Sequence, residues 1–298
     1  MSHFQKLFIG AVIGLCLGGC SAFDLLNAVA HRDVAVPTQG IAYGADARQK
    51  LDVLVPQDMR ANSKVPVVIF FYGGSWKSGS RGDYRFAGEA LASKGFVAVV
   101  PDYRLYPEVK FPAFQSDAAT VLRWTYDHVT SYGGDRNAIF VMGHSAGAHM
   151  GALLALDPTY AAAAGVPDGT IKGFIGLAGP YAMVPSRVAG VREVFAGLPD
   201  ENIARPVHFV TRPVLPPMLL LYGLDDRTVG RANAVELTAL VRAAGGTVTH
   251  REYPGVGHPG LVLALAPPFR GRAPVLEDTS AFIAGVAGYS AAASRGIQ

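Results

Sequence analysis

The sequence predicts an α/β fold: an eight-stranded, mostly parallel sheet flanked by helices, with a sharp turn after the fifth strand that lifts a serine into the open. Three observations predict it. Continuous apolar runs, Val65 to Tyr72 and Phe96 to Val100 among them, have the character of strands buried on both faces. Helix-like segments alternate with such runs after an opening hairpin, as expected of parallel strands joined by crossovers. Finally, Gly143-His144-Ser145-Ala146-Gly147 falls between a short apolar strand, Ile139 to Met142, and a small-residue helix, Ala146 to Leu156. With 35 Gly in 298 residues, roughly 0.2 Gly-x-Ser-x-Gly matches arise by chance, so the strand–turn–helix context carries the reading.

In chain order, Ile41 to Tyr43 and Gln49 to Val55 flank Gly44-Ala45-Asp46 as a hairpin, in which Leu51, Val53 and Val55 alternate with polar neighbours. Val65 to Tyr72 runs directly into Gly73-Gly74-Ser75-Trp76. Tyr84 to Lys94 is helical and stops at Gly95, and Phe96 to Val100 is closed by Pro101-Asp102. Phe114 to Ser131 is a long amphipathic helix after Pro112, ended by Gly133-Gly134. The serine turn and its helix follow, then a strand from Ile171 to Leu177. Residues 179–217 are irregular and rich in Pro, Arg and Val, as in a cap or loop excursion over a site. Met218 to Tyr222 is a strand, Ala232 to Ala244 a helix stopped by Gly245-Gly246, Val248 to Tyr253 the last strand and Val275 to Val286 a closing helix.

With 50% hydrophobic residues the chain can bury one large core, assigned to residues 39–298. A net charge of +3 and 16% charged residues leave no basic stripe, so nucleic acid is not an expected partner. No cofactor or metal is implied, since His-Glu-x-x-His and Cys/His clusters are missing from the sequence.

The first twenty residues stand apart. Lys6 is the only charged residue before Asp24, and Leu7 to Leu17 is an apolar run too short to span a bilayer comfortably. It ends at Leu17-Gly18-Gly19-Cys20, as a secretory signal peptide does. The ending also resembles the lipobox of bacterial lipoproteins, which implies that Cys20 becomes the acylated first residue of a mature chain. Residues 21–38 then read as a tether. Both cysteines, Cys16 and Cys20, lie in this leader, so cysteine chemistry is excluded from the rest of the chain. Ser21 after the cysteine resembles lipoproteins sent to the outer membrane, so the expected place is the bacterial cell envelope, lipid-anchored on the periplasmic side.

A serine hydroxyl needs a base, and the base needs an orienting carboxylate. Both are expected in the order Ser, Asp or Glu, His, at strand ends. The strand Met218 to Tyr222 is followed by Gly223-Leu224-Asp225-Asp226, and Val248 to Tyr253 by Pro254-Gly255-Val256-Gly257-His258. His258 is therefore the candidate base, ahead of His250 inside the last strand and of His144 and His149 beside Ser145. Asp225 and Asp226 both remain candidates for the orienting acid. Oxyanion donors are expected from the backbone N–H groups of Gly74 and Ser75, in the glycine turn after the buried strand, and of Ala146 at the start of the following helix. Trp76 and Tyr181 are candidate substrate-binding side chains.

Assembled in this way, the chain resembles the α/β-hydrolase superfamily. It is most similar to its carboxylesterase group, which includes hormone-sensitive-lipase-like esterases, feruloyl- and acetyl-esterase-like hydrolases, isoprenylcysteine methylesterases and arylformamidases. The marks are Tyr72-Gly73-Gly74-Ser75-Trp76, Pro101-Asp102-Tyr103-Arg104-Leu105-Tyr106-Pro107-Glu108, Phe111-Pro112-Ala113, Gly134-Asp135-Arg136-Asn137 and Gly143-His144-Ser145-Ala146-Gly147-Ala148-His149. The resemblance spans about Gln49 to Val286. It places the acid three residues after the glycine that ends the strand, at Asp226, and implies that Asp102, Tyr103 and Arg104 brace loops. Two positions depart from the family pattern: Tyr72 stands where a His is common, and Tyr181-Ala182 where Tyr-Asp is frequent.

The resemblance implies a serine carboxylesterase acting on short-chain or aryl esters through an acyl-enzyme, with Ser145, His258 and Asp226 as triad. An arylformamidase or amidase with the same triad is the alternative. A non-catalytic lipoprotein binding module is the third reading.

Overall fold

The apolar runs pair into one sheet. The computed structural model describes residues 26–27, 34–57, 59 and 63–289. Its strands are β1 (Val34–Ala42), β2 (Lys50–Pro56), β3 (Val65–Phe71), β4 (Val97–Pro101), β5 (Gly134–His144), β6 (Ile171–Leu177), β7 (Met218–Gly223) and β8 (Val248–Tyr253). They lie in the order β1-β2-β4-β3-β5-β6-β7-β8. The β1–β2 and β2–β4 pairings are antiparallel, and every pairing from β4 to β8 is parallel.

Position in the sheet explains composition. Every residue of β3, β4 and β7 is buried, which requires cover on both faces and suits their unbroken apolar sequences. The edge strand β8 instead alternates exposed and half-buried residues until it closes at the buried Tyr253. Burying a Val, Leu, Ile or Phe side chain contributes roughly 1.5–3 kcal/mol, so these strands supply much of the force that closes the fold.

The helices are α1 (Arg85–Ala92), α2 (Ala113–His128), α3 (Ala146–Leu156), α4 (Pro158–Ala163), α5 (Ala232–Ala243), α6 (His258–Leu263) and α7 (Val275–Ala287). One group is formed by α1 and α7, and another by α2, α3 and α4. Among the described residues no helix is long and apolar enough to cross a membrane. The whole of α3 is buried, and its small residues explain how it lies so close to the sheet. A Cβ on Gly147 would stand 2.1 Å from the carbonyl oxygen of Phe71, and one on Gly143 would stand 2.4 Å from the Gly147 carbonyl. Neither position has room for any other residue.

Several boundaries differ from the sequence expectation. Strand β1 begins at Val34, within the stretch read as a tether. Leu26 is also buried, and the Asn27 side chain accepts from Phe86 N–H and donates to the Gly82 carbonyl, fixing the start of α1. The stretch from 26 therefore includes docked residues. The expected leader, with Cys16 and Cys20, lies outside the described residues. Two short helices, α4 and α6, stand where no helix is expected from the sequence. Residues 179–217 are an excursion with three 3₁₀ turns, at Pro185–Arg187, Glu201–Ala204 and Pro206–Phe209.

Candidate active site

Ser145 links β5 to α3 with φ 54° and ψ −119°. A left-handed φ costs a residue with a Cβ on the order of 1–3 kcal/mol, and it persists where the surroundings over-determine it. Here they do. The Ser145 N–H donates to the Leu177 carbonyl at the end of β6, 2.9 Å away, and its own carbonyl accepts from His149 N–H at 3.0 Å. The turn presents the serine at the C-terminal ends of the parallel strands, with 9% of its surface exposed.

Asp226 and His258 come from the loops after β7 and β8. His258 Nδ1 lies 2.7 Å from Asp226 Oδ2, and the aspartate side chain is fully buried. A carboxylate accepts only, so Nδ1 carries the proton and the Nε2 lone pair is the basic atom. The other carboxylate oxygen, Oδ1, accepts the N–H groups of Thr228 at 2.8 Å and Val229 at 2.9 Å. This holds the carboxylate before the histidine meets it. Asp225 is exposed, and its backbone N–H donates to the Val256 carbonyl. The structure thus brings Asp226, not Asp225, to the imidazole.

His258 also reaches the serine turn. The His258 ring lies 4.7 Å, between centroids, from that of His144, the residue before Ser145. Burial pushes the His144 imidazole down to about 3, and the nearby His258 pushes it the same way. His149 is fully buried one turn beyond Ser145, with Nε2 2.7 Å from the Ala204 carbonyl, and burial lowers it to about 4. Both are neutral at pH 7. His250 stands on β8 with Nε2 3.4 Å from Glu252, away from this cluster in its contacts.

The glycine turn after β3 meets the serine directly: a Cβ on Gly73 would stand 3.0 Å from Ser145 Cβ. Gly74, Ser75 and Trp76 have positive φ values of 129°, 53° and 59°. The hydrogen bonds inside the turn run from Lys77 and Ser78 N–H to the Gly74 carbonyl. Among the described residues the Gly74 and Ser75 N–H groups are not used in the turn's own bonding, and they remain available as donors. Ala146 opens α3, whose N-terminal N–H groups carry partial positive charge.

A network behind the turn braces it. The Tyr72 hydroxyl donates to Asp102 Oδ1 at 3.0 Å and accepts from Arg48 Nη2 at 2.8 Å. The Asp102 carboxylate also binds the Arg81 backbone N–H and guanidinium. Tyr103 O–H donates to the Tyr72 carbonyl, and Arg104 makes a fork with Asp117. Tyr72 further stacks on Tyr84 and Tyr103, with centroids 5.4 and 4.6 Å apart. Tyr72 thereby ties the end of β3 to the loops around it.

The two candidate substrate-binding side chains are placed in packing. Trp76 is 2% exposed, edge-on to His149 and Phe195, and Tyr181 is 1% exposed against Gly176 and Gly179. Neither forms an open surface, because the 179–217 excursion delivers Phe195 onto Trp76, and Tyr181 fills the space that side chains at Gly176 and Gly179 would occupy. The sequence offered no sign of Phe195, whose role comes from long-range packing.

Comparison with known proteins adds to this geometry. Residues 51–182 match the family described as BD-FAE. The chain is 33% identical over 253 residues to esterase LipC of Mycobacterium tuberculosis, covering 78% of this chain and 62% of that protein. It is 29% identical over 265 residues to a probable isoprenylcysteine alpha-carbonyl methylesterase of Oryza sativa, covering 82% and 63%. The chain thus spans about three fifths of the length of these curated relatives. Among solved structures, esterase B from Lactobacillus rhamnosis superposes with a TM-score of 0.77 at 20% identity, covering 95% of this chain and 97% of that one. Thermogutta terrifontis esterase 2, in its apo form, gives 0.71 at 23% identity, covering 86% and 97%.

Proposed function

We propose that this chain, a member of the α/β-hydrolase superfamily, is a serine carboxylesterase that hydrolyses short-chain or aryl carboxylic esters through an acyl-enzyme. In this reading Ser145 Oγ attacks the ester carbonyl while His258 Nε2 takes its proton. Asp226 holds the ring in the tautomer that leaves Nε2 basic and stabilises the imidazolium. The tetrahedral oxyanion is met by the N–H groups of Gly74, Ser75 and Ala146, each worth roughly 10²–10³ in rate. His258 then gives the proton to the leaving alcohol, water attacks the acyl-enzyme by the same route, and Ser145 is restored.

The observation that carries the proposal is the Asp226–His258 hydrogen bond, whose imidazole packs on His144, the residue before a serine held at φ 54°. The aromatic block of Trp76, Phe111, Phe114 and Phe195 supports short acyl groups, because all four rings are nearly inaccessible and Trp76 belongs to the glycine turn that meets Ser145. The test is p-nitrophenyl ester turnover by wild type and Ser145→Ala across a chain-length series. Turnover confined to wild type and greatest for short acyl groups is expected, and equal turnover by the variant sinks the reading.

The lipobox-like leader supports a second part of the proposal: that the enzyme is held at the bacterial outer membrane, on the periplasmic side, by acylation of Cys20. Multiple acyl chains anchor stably where one does not. Metabolic labelling with a radioactive fatty acid, expected in wild type and lost in Cys20→Ala, tests it; an unlabelled wild type contradicts it.

A further inference from the structure

Three segments that meet at the reaction centre all touch His144. It stands at the end of β5, immediately before Ser145. Its Nε2 lies 3.1 Å from the backbone carbonyl oxygen of His258. On its other side Gly73 presses so close that a Cβ there would stand 2.9 Å from His144 Nδ1. The side chain is therefore enclosed between the glycine turn and the first residue of α6.

The partner fixes the chemistry. A carbonyl oxygen only accepts, so His144 Nε2 carries a proton and Nδ1 a lone pair. The bond bridges 114 residues of sequence and joins the end of β5 to the loop after β8, three places away in the sheet. His258 opens a helix of only six residues, too short to hold its first turn firmly by its own bonds. Pinning the carbonyl of that residue fixes the peptide plane and the direction in which its side chain leaves the backbone. The Asp226 carboxylate then fixes the far edge of the same ring through Nδ1. One bond sets the root of the base and the other its rotation.

We propose that His144 is a positioning residue for the base, its Nε2–H anchoring the His258 carbonyl so that the imidazole stays in register with Ser145. The proposal rests on the reading of Ser145 and His258 as nucleophile and base. Charge fits the role as well. The groups facing His144 are His258, Ser145 and Gly73, none of them an anion, and burial keeps its ring neutral down to about pH 3. It therefore offers an unchanging donor across neutral pH and puts no positive charge beside the imidazolium that forms on His258.

Variants of the full chain test this. In His144→Gln the side-chain amide NH₂ sits at about the reach of Nε2, so the donor is kept, and kcat should stay within about threefold of wild type. In His144→Phe the ring volume is kept and the donor lost. There kcat should fall about 10- to 100-fold with KM within about twofold, the signature of a base displaced without damage to substrate binding. Equal losses in the two variants, or wild-type kcat in His144→Phe, overturn the proposal. Nitrogen-15 NMR of the wild-type imidazoles gives a readout that does not depend on either variant folding. The expected His144 signal is a neutral Nε2–H tautomer that does not titrate from about pH 5 to about pH 8. An Nδ1–H tautomer, or titration in that range, also overturns the proposal. Since NMR needs no turnover, a wild type with the expected tautomer but no esterase activity counts against the esterase reading and not against the anchor.

Discussion

Asp226 meets His258 Nδ1 at 2.7 Å with one carboxylate oxygen while the other is held by the N–H groups of Thr228 and Val229. The carboxylate is thus pre-oriented by its own loop. Asp226→Asn keeps the shape but leaves an amide that cannot accept the Nδ1–H in the same way. Its kcat should fall by roughly 10³–10⁴. Asp225→Asn, at an exposed loop position, should stay near wild type. Steady-state kinetics of the pair checks this, and a larger loss at Asp225 would contradict the assignment.

Stability should fall with acid through two buried histidines. His144 and His149 are lowered from the ordinary 6.5 to about 3 and about 4, in both cases chiefly by burial. The unfolded chain therefore binds protons that the folded chain refuses between about pH 6.5 and pH 4. Their contribution is fully present above 6.5 and is lost as pH falls below it. At pH 5 the loss is about 2 kcal/mol per histidine. Urea unfolding at pH 7 and pH 5 measures it, with a flatter dependence expected for His149→Gln. Equal stability at both pH values would contradict it.

The Tyr72 hydroxyl bridges Asp102 and Arg48 behind the glycine turn. Tyr72→Phe keeps the ring stacks and removes the bridge, leaving a buried carboxylate oxygen with one donor fewer. A loss of about 1–3 kcal/mol in unfolding free energy is expected, with a several-fold drop in kcat as the turn loosens. Denaturation and kinetics of the purified variant decide it, and wild-type behaviour in both would show the bridge to be idle.

Phe195 closes the aromatic block against Trp76 at 4.8 Å and His149 at 5.7 Å. Phe195→Val removes part of that wall at less cost than Ala. The preferred acyl length in a p-nitrophenyl ester series should move upward, with kcat/KM for the shortest esters falling or unchanged. An unaltered length profile would show that the block does not limit the acyl group.

Much of this fold is legible in the sequence because its central strands are buried on both faces. Ile171–Leu177 begins and ends where its residues predict, and so do the helix Ala146–Leu156 and, at one edge of the sheet, Val248–Tyr253. The other edge strand, β1, is harder. Its pairing with β2 shifts register twice, between Ala35 and Thr38 and again between Thr38 and Ile41, so no clean period of two marks its start at Val34. The short helices carry only local signals. Asp157 accepts Thr159 N–H before Pro158 at the first turn of α4, and Pro259 sits in the first turn of α6. Six residues are too few for periodicity to show.

The site divides in the same way. Order along the chain and strand ends mark Ser145 and His258, while the choice between adjacent aspartates depends on which one the loop buries. The His144–His258 bond and the Phe195 contact join residues far apart in sequence, and no local pattern announces them.

Fluorophosphonate labelling of the purified protein, with Ser145→Ala beside it, tests the central claim most directly. The account predicts rapid stoichiometric labelling of wild type at Ser145, parallel loss of p-nitrophenyl ester turnover, and neither in the variant. A folded wild type that neither labels nor hydrolyses esters, or a Ser145→Ala protein that still does both, would contradict it.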